Sequence, residues 1–293
     1  MKILITGARG QLGTEIAKCF ERGYTELGTP DILKEKNDIR LIDIDELDIS
    51  DIDALRRLMQ AEKYDAVINC AAYTNVNKCE TERVTAFKAN AIGPRNLAIT
   101  AEEIGAKLIH VSTDYVFSGD GNTPYVEWDL CNPQSVYGKT KYIGEEYVKQ
   151  FSTKYFIVRT AWLYGYYGNN FVKTMIKIAS EKGACRVVCD QRGNPTNAAD
   201  LAHHILKLLP TSEYGVYHGT GAGECSWYEF TKEIVKLSGI DATVSPCTTE
   251  EYPTPAKRPA YSSLENMMFA ATVGDEFRQW QDALACFMKN KED

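Results

Sequence analysis

The sequence predicts an α/β protein built on a doubly wound parallel sheet, with a smaller C-terminal lobe. Apolar runs typical of buried strands alternate with segments of helical periodicity, which is the pattern of a parallel sheet covered on both faces. The first apolar run leads directly into a glycine-rich turn, Gly7–Gly13, that opens the first helix. The 293 residues exceed one average domain but fall short of two large ones, so we expect a sizeable core and an attached lobe.

The N-terminal elements follow in the order strand, turn, helix. Residues Lys2–Thr6 form the first strand, and Gln11–Phe20 repeats apolar side chains at helical spacing. The segment Gly23–Asp38 carries glycine, proline and mixed charges, which indicates a surface insertion. A second strand, Ile39–Ile42, follows it and ends in Asp43. The order of these elements is that of the first half of a doubly wound sheet.

The alternation continues along the chain and loosens beyond Gly168. Ser50 is predicted to cap a helix that reaches about Glu62. The next elements are predicted as strand Ala66–Cys70, helix Val84–Ile104, strand Lys107–Ser112, a helix starting near Gln134 after a polar loop, and strand Tyr155–Thr160. The later elements are predicted as helix Asn170–Lys182, strand Arg186–Val188, helix Ala198–Leu209, strand Val216–Gly219 and helix Ser226–Ser238.

The composition argues against several classes of function. The net charge of −7 disfavours a nucleic-acid partner, because affinity for a phosphate backbone depends on clustered lysine and arginine. The nine cysteines include no C-x-x-C pair, which favours reduced thiols over disulfides or a zinc site. No apolar run approaches the roughly 18 residues of a membrane helix. Because the N-terminus also lacks a signal-peptide pattern, we expect a cytoplasmic protein.

The turn after the first strand has the glycine spacing of a Rossmann dinucleotide-binding fold. Gly7, Gly10 and Gly13 would allow the tight turn, the close approach of a pyrophosphate and the packing of helix on strand. The helix N-terminus would then offer free N–H groups to the phosphates. Asp43 favours NADH, because its carboxylate can accept hydrogen bonds from the ribose, whereas Arg9 could pair with the 2′-phosphate of NADPH. These residues leave the choice between NADH and NADPH open.

This motif defines the expected domain organisation. We expect residues 1–168 to form a dinucleotide-binding Rossmann domain, with a return of the chain to it near residues 190–220. Residues 169–293 are expected to form mainly a substrate-binding lobe. The ligand would lie between the two parts, outside the carboxyl ends of the strands.

Two tyrosine–lysine pairs have the spacing of one helical turn, which places both side chains of a pair on one helix face. Tyr137 and Lys141 open a helix after a strand that ends in hydroxyl-bearing residues. Tyr228 and Lys232 lie in a late helix that follows no such strand. We interpret the first pair as catalytic and the second as a pair on a helix surface.

The chemistry of ketone reduction explains the residue types around the first pair. A ketone accepts a hydride on carbon, a proton on oxygen, and stabilisation of the developing alkoxide by hydrogen-bond donors. Tyr137 would give the proton, provided that its pKa falls from about 10. Lys141, together with the nicotinamide cation of the oxidised cofactor, would supply the positive field that lowers it. Thr113, at the end of the preceding strand, would donate its hydroxyl to the same oxygen.

With these residues the chain resembles the extended short-chain dehydrogenase/reductase superfamily, and within it the dTDP-4-dehydrorhamnose reductase family. The resemblance runs from Met1 nearly to the C-terminus. It rests on the segments Gly7–Gly13, Leu47-Asp48-Ile49, Asn69–Thr74, Ser112–Phe117, Tyr137–Lys141, Arg159–Trp162, Gly168–Phe171 and Lys257-Arg258-Pro259. Together these segments are far more specific than any single one.

The resemblance implies reduction, by NADH or NADPH, of the C4 ketone of dTDP-4-dehydro-L-rhamnose to dTDP-L-rhamnose, in nucleotide-sugar synthesis for cell-surface polysaccharide. It makes Thr113, Tyr137 and Lys141 the catalytic group, with the tyrosine and lysine also on the cofactor. It places Asp114 and Trp162 against the sugar nucleotide. The other residues that it places on the cofactor are Gly10, Gln11, Leu12, Asp43, Asp48, Ile49, Ala72, Tyr73 and Thr74.

Four further residues are compared with the family in the same way. Arg258 is our candidate for the diphosphate, because a guanidinium fork matches phosphate oxygens, and a solvated surface arginine is the alternative. Asn90 resembles the asparagine that lines the proton path of the superfamily, with helix packing as its alternative. Some relatives bind a divalent metal at a dimer interface, and Glu15 matches one ligand position, but Ala199 replaces a second glutamate. We therefore expect no bound metal. A homodimer is a possible assembly.

Three other functions use the same fold. Dehydratases of the superfamily have an adjacent Asp-Glu pair after the threonine, whereas here Asp114 is followed by Tyr115. A 4-epimerase would hold its NAD through each turnover. One relative of this fold is the non-catalytic regulatory subunit of methionine adenosyltransferase. The presence of Thr113, Tyr137 and Lys141 favours an enzyme over that binding function.

Overall fold

A computed structural model describes residues 1–291 of the chain. The strands are β1 (Lys2–Thr6), β2 (Asp38–Ile42), β3 (Ala66–Asn69), β4 (Lys107–Thr113), β5 (Tyr155–Thr160), β6 (Leu163–Tyr164), β7 (Ala184–Val188), β8 (Arg192–Gly193), β9 (Thr196–Asn197), β10 (Gly215–His218), β11 (Cys225–Ser226) and β12 (Thr243–Cys247). The helices are α1 (Gln11–Arg22), α2 (Ile52–Glu62), α3 (Val76–Cys79), α4 (Arg83–Phe87), α5 (Gly93–Ile104), α6 (Val136–Phe151), α7 (Phe171–Lys182), α8 (Ala198–Leu208), α9 (Trp227–Ser238), α10 (Met267–Ala271) and α11 (Trp280–Asn290). None of the helices in this described part is long and apolar enough to cross a lipid bilayer.

Six strands form one parallel sheet in the order β2-β1-β3-β4-β5-β10. The strand order reverses between β1 and β3, so the connections that follow these two strands diverge to opposite sides. Such a reversal opens a crevice at the carboxyl ends of the strands, where α/β proteins bind their ligands. The predicted doubly wound parallel sheet is confirmed.

The two faces of the sheet are buried in separate apolar cores. Ile3 and Ile5 of β1 join one core with α1 and α8, whereas Leu4 packs on the opposite face with α2, α5 and α6. Successive side chains of a strand point to opposite faces, so a strand covered on both sides is apolar throughout. This arrangement explains why the strands read as continuous apolar runs rather than as alternating patterns.

The C-terminal part of the chain returns to the sheet and also forms a smaller lobe. Strand β10 pairs with β5, and α8 packs against α1 on one face of the sheet. Helices α7, α9 and α11 surround a separate apolar core that includes Phe230, Leu284 and Phe287. A two-stranded parallel pair, β7 with β12, covers the outer side of α7 and α9. The lobe thus lies beside the carboxyl end of the sheet.

Several predicted elements differ in detail from the structure. The helix predicted over Val84–Ile104 contains a π-helical turn at Lys88–Ile92. Pro94 has no N–H for the carbonyl four residues earlier, and the Gly93 N–H donates to the Lys88 carbonyl, five residues back. A proline within an apolar helical pattern therefore altered the hydrogen bonding without ending the helix.

The predicted cap at Ser50 is wrong. The N-cap of α2 is Asp51, whose carboxylate accepts hydrogen bonds from the N–H groups of Asp53 and Ala54 at 3.1 and 3.0 Å. Serine and aspartate cap helices about equally well, so two such neighbours cannot be ranked from sequence. Strand β3 ends at Asn69, one residue before the predicted end. The sequence pattern also does not predict α3, α10, α11 or β12.

Candidate active site

The glycine turn lies in the crevice between β1 and β3 and is shaped by close backbone contacts. Gly7 has a φ of +64°, and a Cβ atom there would lie 2.6 Å from the amide nitrogen of Ala71. A Cβ on Gly13 would lie 2.3 Å from the Gly7 carbonyl oxygen. Helix α1 begins after Gly10 without a side-chain cap. Its first N–H groups are therefore available to an anion such as a pyrophosphate.

A cavity of about 350 Å³ extends from the glycine turn along the ends of β2 and β3. It brings together seven residues that the sequence assigns to the cofactor, namely Gly7, Gly10, Asp43, Asp48, Ile49, Ala72 and Tyr73. The walls are mostly apolar, and Ile42, Ile44 and Leu47 complete them. A flat apolar ring with a polar edge, such as an adenosine, fits such a lining.

Asp43 is held beside the glycine turn by local hydrogen bonds. Its carboxylate accepts from the N–H groups of Arg9 at 3.0 Å and Ile44 at 2.8 Å. The guanidinium of Arg9 forms a hydrogen-bonded ion pair with Asp45 and lies 3.8 Å from Asp43. Sequence reasoning did not single out Asp45. In this arrangement two carboxylates compete with a 2′-phosphate for the same arginine.

A second cavity, of about 680 Å³, adjoins the first and shares Gly10, Cys70 and Ala72 with it. It contains the remaining residues that the sequence predicts for the site, namely Gln11, Leu12, Gly13, Thr74, Thr113, Asp114, Tyr137, Lys141, Trp162 and Arg258. Segments that are more than 200 residues apart in sequence therefore converge on one cleft. The cleft runs from the glycine turn to the C-terminal lobe.

Helix α6 carries Tyr137 and Lys141 into this cleft. The helix begins after Ser135, whose hydroxyl accepts from the Gly138 N–H at 3.1 Å, and the Glu80 carboxylate accepts from the Val136 N–H at 2.8 Å. These contacts fix the first turn, where Tyr137 lies edge-on to the ring of Tyr115 with centroids 5.4 Å apart. The start of α6 is thus tied to residues from both sides of the cleft.

In the protein without cofactor, burial is the main cause of the pKa shifts of both Tyr137 and Lys141. Burial raises the pKa of Tyr137, and the Thr113 hydroxyl only partly offsets that rise. The Lys141 ammonium donates to the carbonyl of Val111 at 2.6 Å rather than lying against the phenol. In the protein without cofactor the pKa of Tyr137 is therefore raised, and its lowering by Lys141 together with the oxidised nicotinamide stays a prediction. Burial lowers the pKa of Lys141 itself to about 8, against the opposing effect of Glu145.

Thr113 and Asp114 form the polar floor of the cleft at the end of β4. The Thr113 hydroxyl donates to the Asp114 carboxylate at 2.8 Å and accepts from the Tyr115 N–H at 3.3 Å. Burial raises the pKa of Asp114 to about 6, while hydrogen bonds from the hydroxyls of Ser262 and Thr113 lower it. Asp114 is therefore ionised at neutral pH but only by a narrow margin.

Aromatic rings form the wall opposite this floor. Trp162 has a φ of +48°, an uncommon value for a residue other than glycine, and it stacks on Trp227 with ring centroids 3.5 Å apart. Phe171 lies against Trp227 with centroids 4.3 Å apart, and both residues line the cleft. Sequence reasoning missed Trp227 and Phe171 as site residues. Both lie at the starts of predicted helices, and Phe171 also ends the family segment Gly168–Phe171, a signal that could have found it.

Arg258 projects into the cleft from the loop of Lys257 and Pro259. Its guanidinium donates to the Tyr115 hydroxyl at 2.9 Å and to the Asn77 side-chain oxygen at 3.1 Å. These two residues belong to the dinucleotide side of the cleft, and Arg258 is partly buried rather than fully solvated. The guanidinium is thus held in place by neutral partners, which leaves its charge free for an anion.

Asn90 packs beside the cleft and orders the loop after β3. Its side-chain oxygen accepts from the Tyr73 N–H at 2.8 Å, and its amide donates to the Tyr73 carbonyl at 3.0 Å. The same amide donates to the Thr140 hydroxyl at 3.2 Å. In this structure Asn90 is committed to these contacts, which hold the loop of Tyr73 against α6.

The second tyrosine–lysine pair lies away from the cleft. Lys232 is exposed on α9, and its ammonium stands 4.8 Å from the centre of the Tyr228 ring. Contrary to the prediction, a strand that ends in a hydroxyl residue does precede this helix, since β11 ends in Ser226, the N-cap of α9. Ser226, Tyr228 and Lys232 are not among the residues that line the cleft of Thr113. The geometry is that of a cation–π contact on a helix surface.

Within residues 1–291, no group of three or more His, Cys, Asp or Glu side chains is arranged to hold a metal ion. Glu15 is buried in α1, where its carboxylate lies 3.6 Å from the Arg22 guanidinium. Ala199 is buried in α8 and offers no ligand atom. The positions compared with metal-binding relatives are therefore filled by an ion pair and an alanine.

Comparisons with known proteins cover the whole of this architecture. The chain is 39% identical to the spore coat polysaccharide biosynthesis protein SpsK of Bacillus subtilis, over 99% of this chain and 98% of the relative. It is 48% identical to a solved dTDP-4-dehydrorhamnose reductase from Clostridium acetobutylicum, with a TM-score of 0.93 and 99% of each chain covered. A dTDP-4-dehydrorhamnose reductase from Bacillus anthracis, solved in complex with NADP, is 42% identical with a TM-score of 0.92 over 99% of each chain.

The model of one protein family matches nearly the full length, residues 1–292, and its description is RmlD substrate binding domain. This match covers the glycine turn, the tyrosine–lysine pair of α6 and the loop of Arg258 alike. The chain therefore belongs to the RmlD substrate binding domain family.

Proposed function

We propose that the protein is an NAD(P)H-dependent oxidoreductase that reduces the C4 ketone of dTDP-4-dehydro-L-rhamnose to the alcohol of dTDP-L-rhamnose. The observation that carries the proposal is the single cleft that holds the glycine turn together with Thr113, Tyr137 and Lys141. The solved relative from Clostridium acetobutylicum, which is named dTDP-4-dehydrorhamnose reductase, supports the choice of substrate. The product would serve the synthesis of cell-surface polysaccharide.

The residues around the glycine turn fit a nicotinamide dinucleotide. The tight backbone contacts of Gly7 and Gly13 and the uncapped start of α1 provide a cradle for a pyrophosphate. The residues that we assign to the cofactor are Gly7, Gly10, Gln11, Leu12 and Gly13 at the pyrophosphate, Asp43 at the ribose, Asp48 and Ile49 at the adenine, and Ala72, Tyr73 and Thr74 at the nicotinamide side. The complex of the Bacillus anthracis relative with NADP supports a cofactor of this class.

Each catalytic residue has a distinct part in the proposed reduction. The bound reduced nicotinamide supplies the hydride. The raised pKa of Tyr137 keeps its phenol protonated at neutral pH, as a proton donor to the ketone oxygen must be. The Thr113 hydroxyl, at the end of β4, offers a second hydrogen bond to that oxygen. Lys141 places a positive charge beneath the site, which favours the developing negative charge on the oxygen.

The other wall of the cleft would hold the sugar nucleotide. Arg258 carries a guanidinium that matches a diphosphate, and Asp114 can accept hydrogen bonds from sugar hydroxyls. Trp162, stacked on Trp227, presents a flat apolar surface to the same space. The positive and the acceptor groups are thus at different ends of the substrate subsite, which would orient a nucleotide sugar in one direction.

The same proposal divides the chain into two working parts. Residues 1–168 would bind the dinucleotide, with β10 completing their sheet, and residues 169–293 would mainly bind the substrate; the last two residues of that range lie outside the described residues. A cytoplasmic location and a homodimeric state complete the proposal. Cell fractionation tests the first, and light scattering of the purified protein tests the second.

The direct test is consumption of NADH or NADPH by the purified protein with enzymatically prepared dTDP-4-dehydro-L-rhamnose. We expect loss of reduced-nicotinamide absorbance and a product with the NMR spectrum of dTDP-L-rhamnose. Tyr137→Phe should lower kcat/KM by at least about 100-fold, because the proton donor is lost. Tyr228→Phe, the matched control in the other pair, should leave kcat/KM within about twofold of the unmodified protein.

Two results would contradict the proposal. Full activity of Tyr137→Phe would remove the catalytic assignment of that residue. No turnover with either coenzyme, in a protein that still binds the dinucleotide, would favour a non-catalytic binding function. Initial rates with both coenzymes in the same experiment would also decide between NADH and NADPH, on which Arg9 and Asp43 have opposite effects.

A further inference from the structure

A buried ion pair lies directly behind the catalytic helix. Glu145 of α6 and Arg159 of β5 are 0% and 2% exposed. The Arg159 guanidinium makes a forked contact with the Glu145 carboxylate, with Nη2 at 2.8 Å from Oε2 and Nε at 3.1 Å from Oε1. Neither residue touches the cleft. The reaction proposed above does not use either of them.

Glu145 lies one helical turn beyond Lys141 and two turns beyond Tyr137, on the same face of α6. The Ser112 hydroxyl donates to the Glu145 carboxylate at 2.5 Å. In the preceding position of β4, the Val111 carbonyl accepts from the Lys141 ammonium at 2.6 Å. Two consecutive turns of α6 are thus fastened to two consecutive residues of β4, immediately before the catalytic threonine.

Stability alone does not account for this pair. Two charges lose their hydration on burial, and replacement of a buried ion pair by apolar side chains is often neutral or stabilising. Here the remaining donors of Arg159 are directed to the Glu127 carbonyl, at 3.3 Å, and the Cys131 sulfur, at 3.2 Å. Lys141, by contrast, forms no salt bridge with any residue in the described range. Glu145 is the carboxylate one turn from that lysine.

We propose that Glu145, fixed by Arg159 and Ser112, is a positioning residue for Lys141: it holds this face of α6 against β4, where the lysine ammonium meets the Val111 carbonyl, and it places a negative charge one helical turn from that ammonium. The effect on turnover rests on the function proposed above. The effect on the proton of Lys141 does not, because it is a property of the protein without substrate.

The groups around Lys141 define the sign of the effect. Burial lowers the pKa of Lys141, and the Glu145 carboxylate on its own helix opposes that shift. The Cys70 thiol, just after β3, also faces Lys141, but burial raises the pKa of this thiol to about 12, so it carries no charge where Lys141 titrates. His110 of β4 is kept neutral by burial and by Lys141. Neutralising Glu145 removes the charged group that raises the pKa of Lys141 most. The ammonium should then lose its proton at a lower pH.

The experiment measures the protonation of Lys141 directly. Protein labelled with carbon-13 at lysine Cε is titrated by NMR without cofactor, and the Lys141 signal is identified by its absence in Lys141→Met. Glu145→Gln should lower the titration midpoint of this signal by about one pH unit or more. Glu146→Gln makes the same chemical change at the next residue, which is half exposed and paired with Lys149, and should leave the midpoint unchanged.

Glu145→Gln leaves Arg159 without a buried partner, so this variant could fail to fold. The double variant Glu145→Gln with Arg159→Met removes both charges and restores an uncharged core. If the ion pair has only a structural role, the double variant recovers the unmodified midpoint and kcat/KM. Under our proposal it folds with an unmodified melting temperature, yet its Lys141 midpoint stays low, and the alkaline limb of its kcat/KM profile moves to lower pH by the same amount.

Glu145→Asp provides the conservative rescue, because it keeps the charge one methylene farther from β4. Its midpoint should return to within a few tenths of a pH unit of the unmodified protein, even where its rate does not. An unmoved Lys141 midpoint in the folded double variant would overturn the proposal. A lowered midpoint in a protein that shows no turnover would uphold this inference and reject the proposed function.

Discussion

The two tyrosine–lysine pairs of this protein share their spacing and their helical geometry but not their surroundings. Lys141 is 2% exposed, and its ammonium faces a strand carbonyl beneath the cleft, whereas Lys232 is exposed and lies over its own tyrosine ring. Tyr137 shares the cleft with Thr113 at the end of β4, whereas Tyr228 follows β11 and its terminal Ser226 outside the cleft. The comparison shows that the i, i+4 spacing brings two groups together, while the neighbouring elements and burial determine their chemistry.

The largest difference between the pairs should appear in turnover. Lys141→Met removes the positive charge beneath the cleft and should lower kcat/KM by about 100-fold or more, since charge developing on the ketone oxygen loses its stabilisation. Lys232→Met should leave kcat/KM within about twofold. Both values come from initial rates of NAD(P)H oxidation. Similar losses in the two variants would show that the pairs do not differ as described.

The second largest difference between the two pairs should appear in the pH dependence of kcat/KM. Because burial lowers the pKa of Lys141 to about 8, its ammonium loses its proton above that pH, and kcat/KM should fall by up to about tenfold per pH unit there. The Lys232→Met variant should keep this alkaline limb unchanged. A profile that stays flat to pH 10 would mean that the protonated lysine is not required.

The smallest effect is on stability, and it should have opposite signs in the two pairs. The folded-state pKa of Lys141 lies below its ordinary value of 10.5, so burial of the charged form opposes folding below pH 8. Lys141→Met should therefore raise the free energy of unfolding at pH 7, by on the order of 2 kcal/mol. Lys232→Met should lower it by roughly 0.5 kcal/mol, through loss of the cation–π contact.

Urea unfolding of the cofactor-free variants at several pH values checks this last prediction. Between pH 8 and 10.5 the unfolded chain holds the Lys141 proton more tightly than the folded protein, so the stability of the unmodified protein gains on that of Lys141→Met as the pH rises. The gain in free energy of unfolding of Lys141→Met over the unmodified protein should be complete below pH 8 and disappear towards pH 10.5. A less stable Lys141→Met at pH 7 would show that the bond to Val111 outweighs the burial of charge.

The residues that sequence reasoning found are those whose role is local. Gly7 and Gly13 occupy a turn between adjacent elements, and Tyr137 and Lys141 are one turn apart on one helix, so both patterns are visible in short windows. The alternation of strands and helices likewise predicted the sheet, because inner strands such as β1 and β3 are apolar on both faces. Boundaries were less certain, as the cap at Asp51 rather than at Ser50 shows.

The residues that sequence reasoning missed depend on contacts between segments that are distant in sequence. Trp227 becomes part of the cleft only because Trp162 adopts a left-handed backbone conformation and stacks on it. Glu145 meets Arg159 because α6 crosses β5, a contact between residues that a helical or strand pattern treats separately. The raised pKa of Tyr137 in the protein without cofactor was not visible in the sequence for the same reason. Burial by distant segments, rather than its neighbour in the helix, dominates its pKa.

Arg9 and its two carboxylates lie at the rim of the cleft, where Arg9 is 64% exposed, and they share no contact with the catalytic helix. Interactions among such exposed charges weaken as dissolved salt increases. If Arg9 and Asp43 act on the coenzyme as proposed, the preference between NADH and NADPH should change with the ionic strength of the medium.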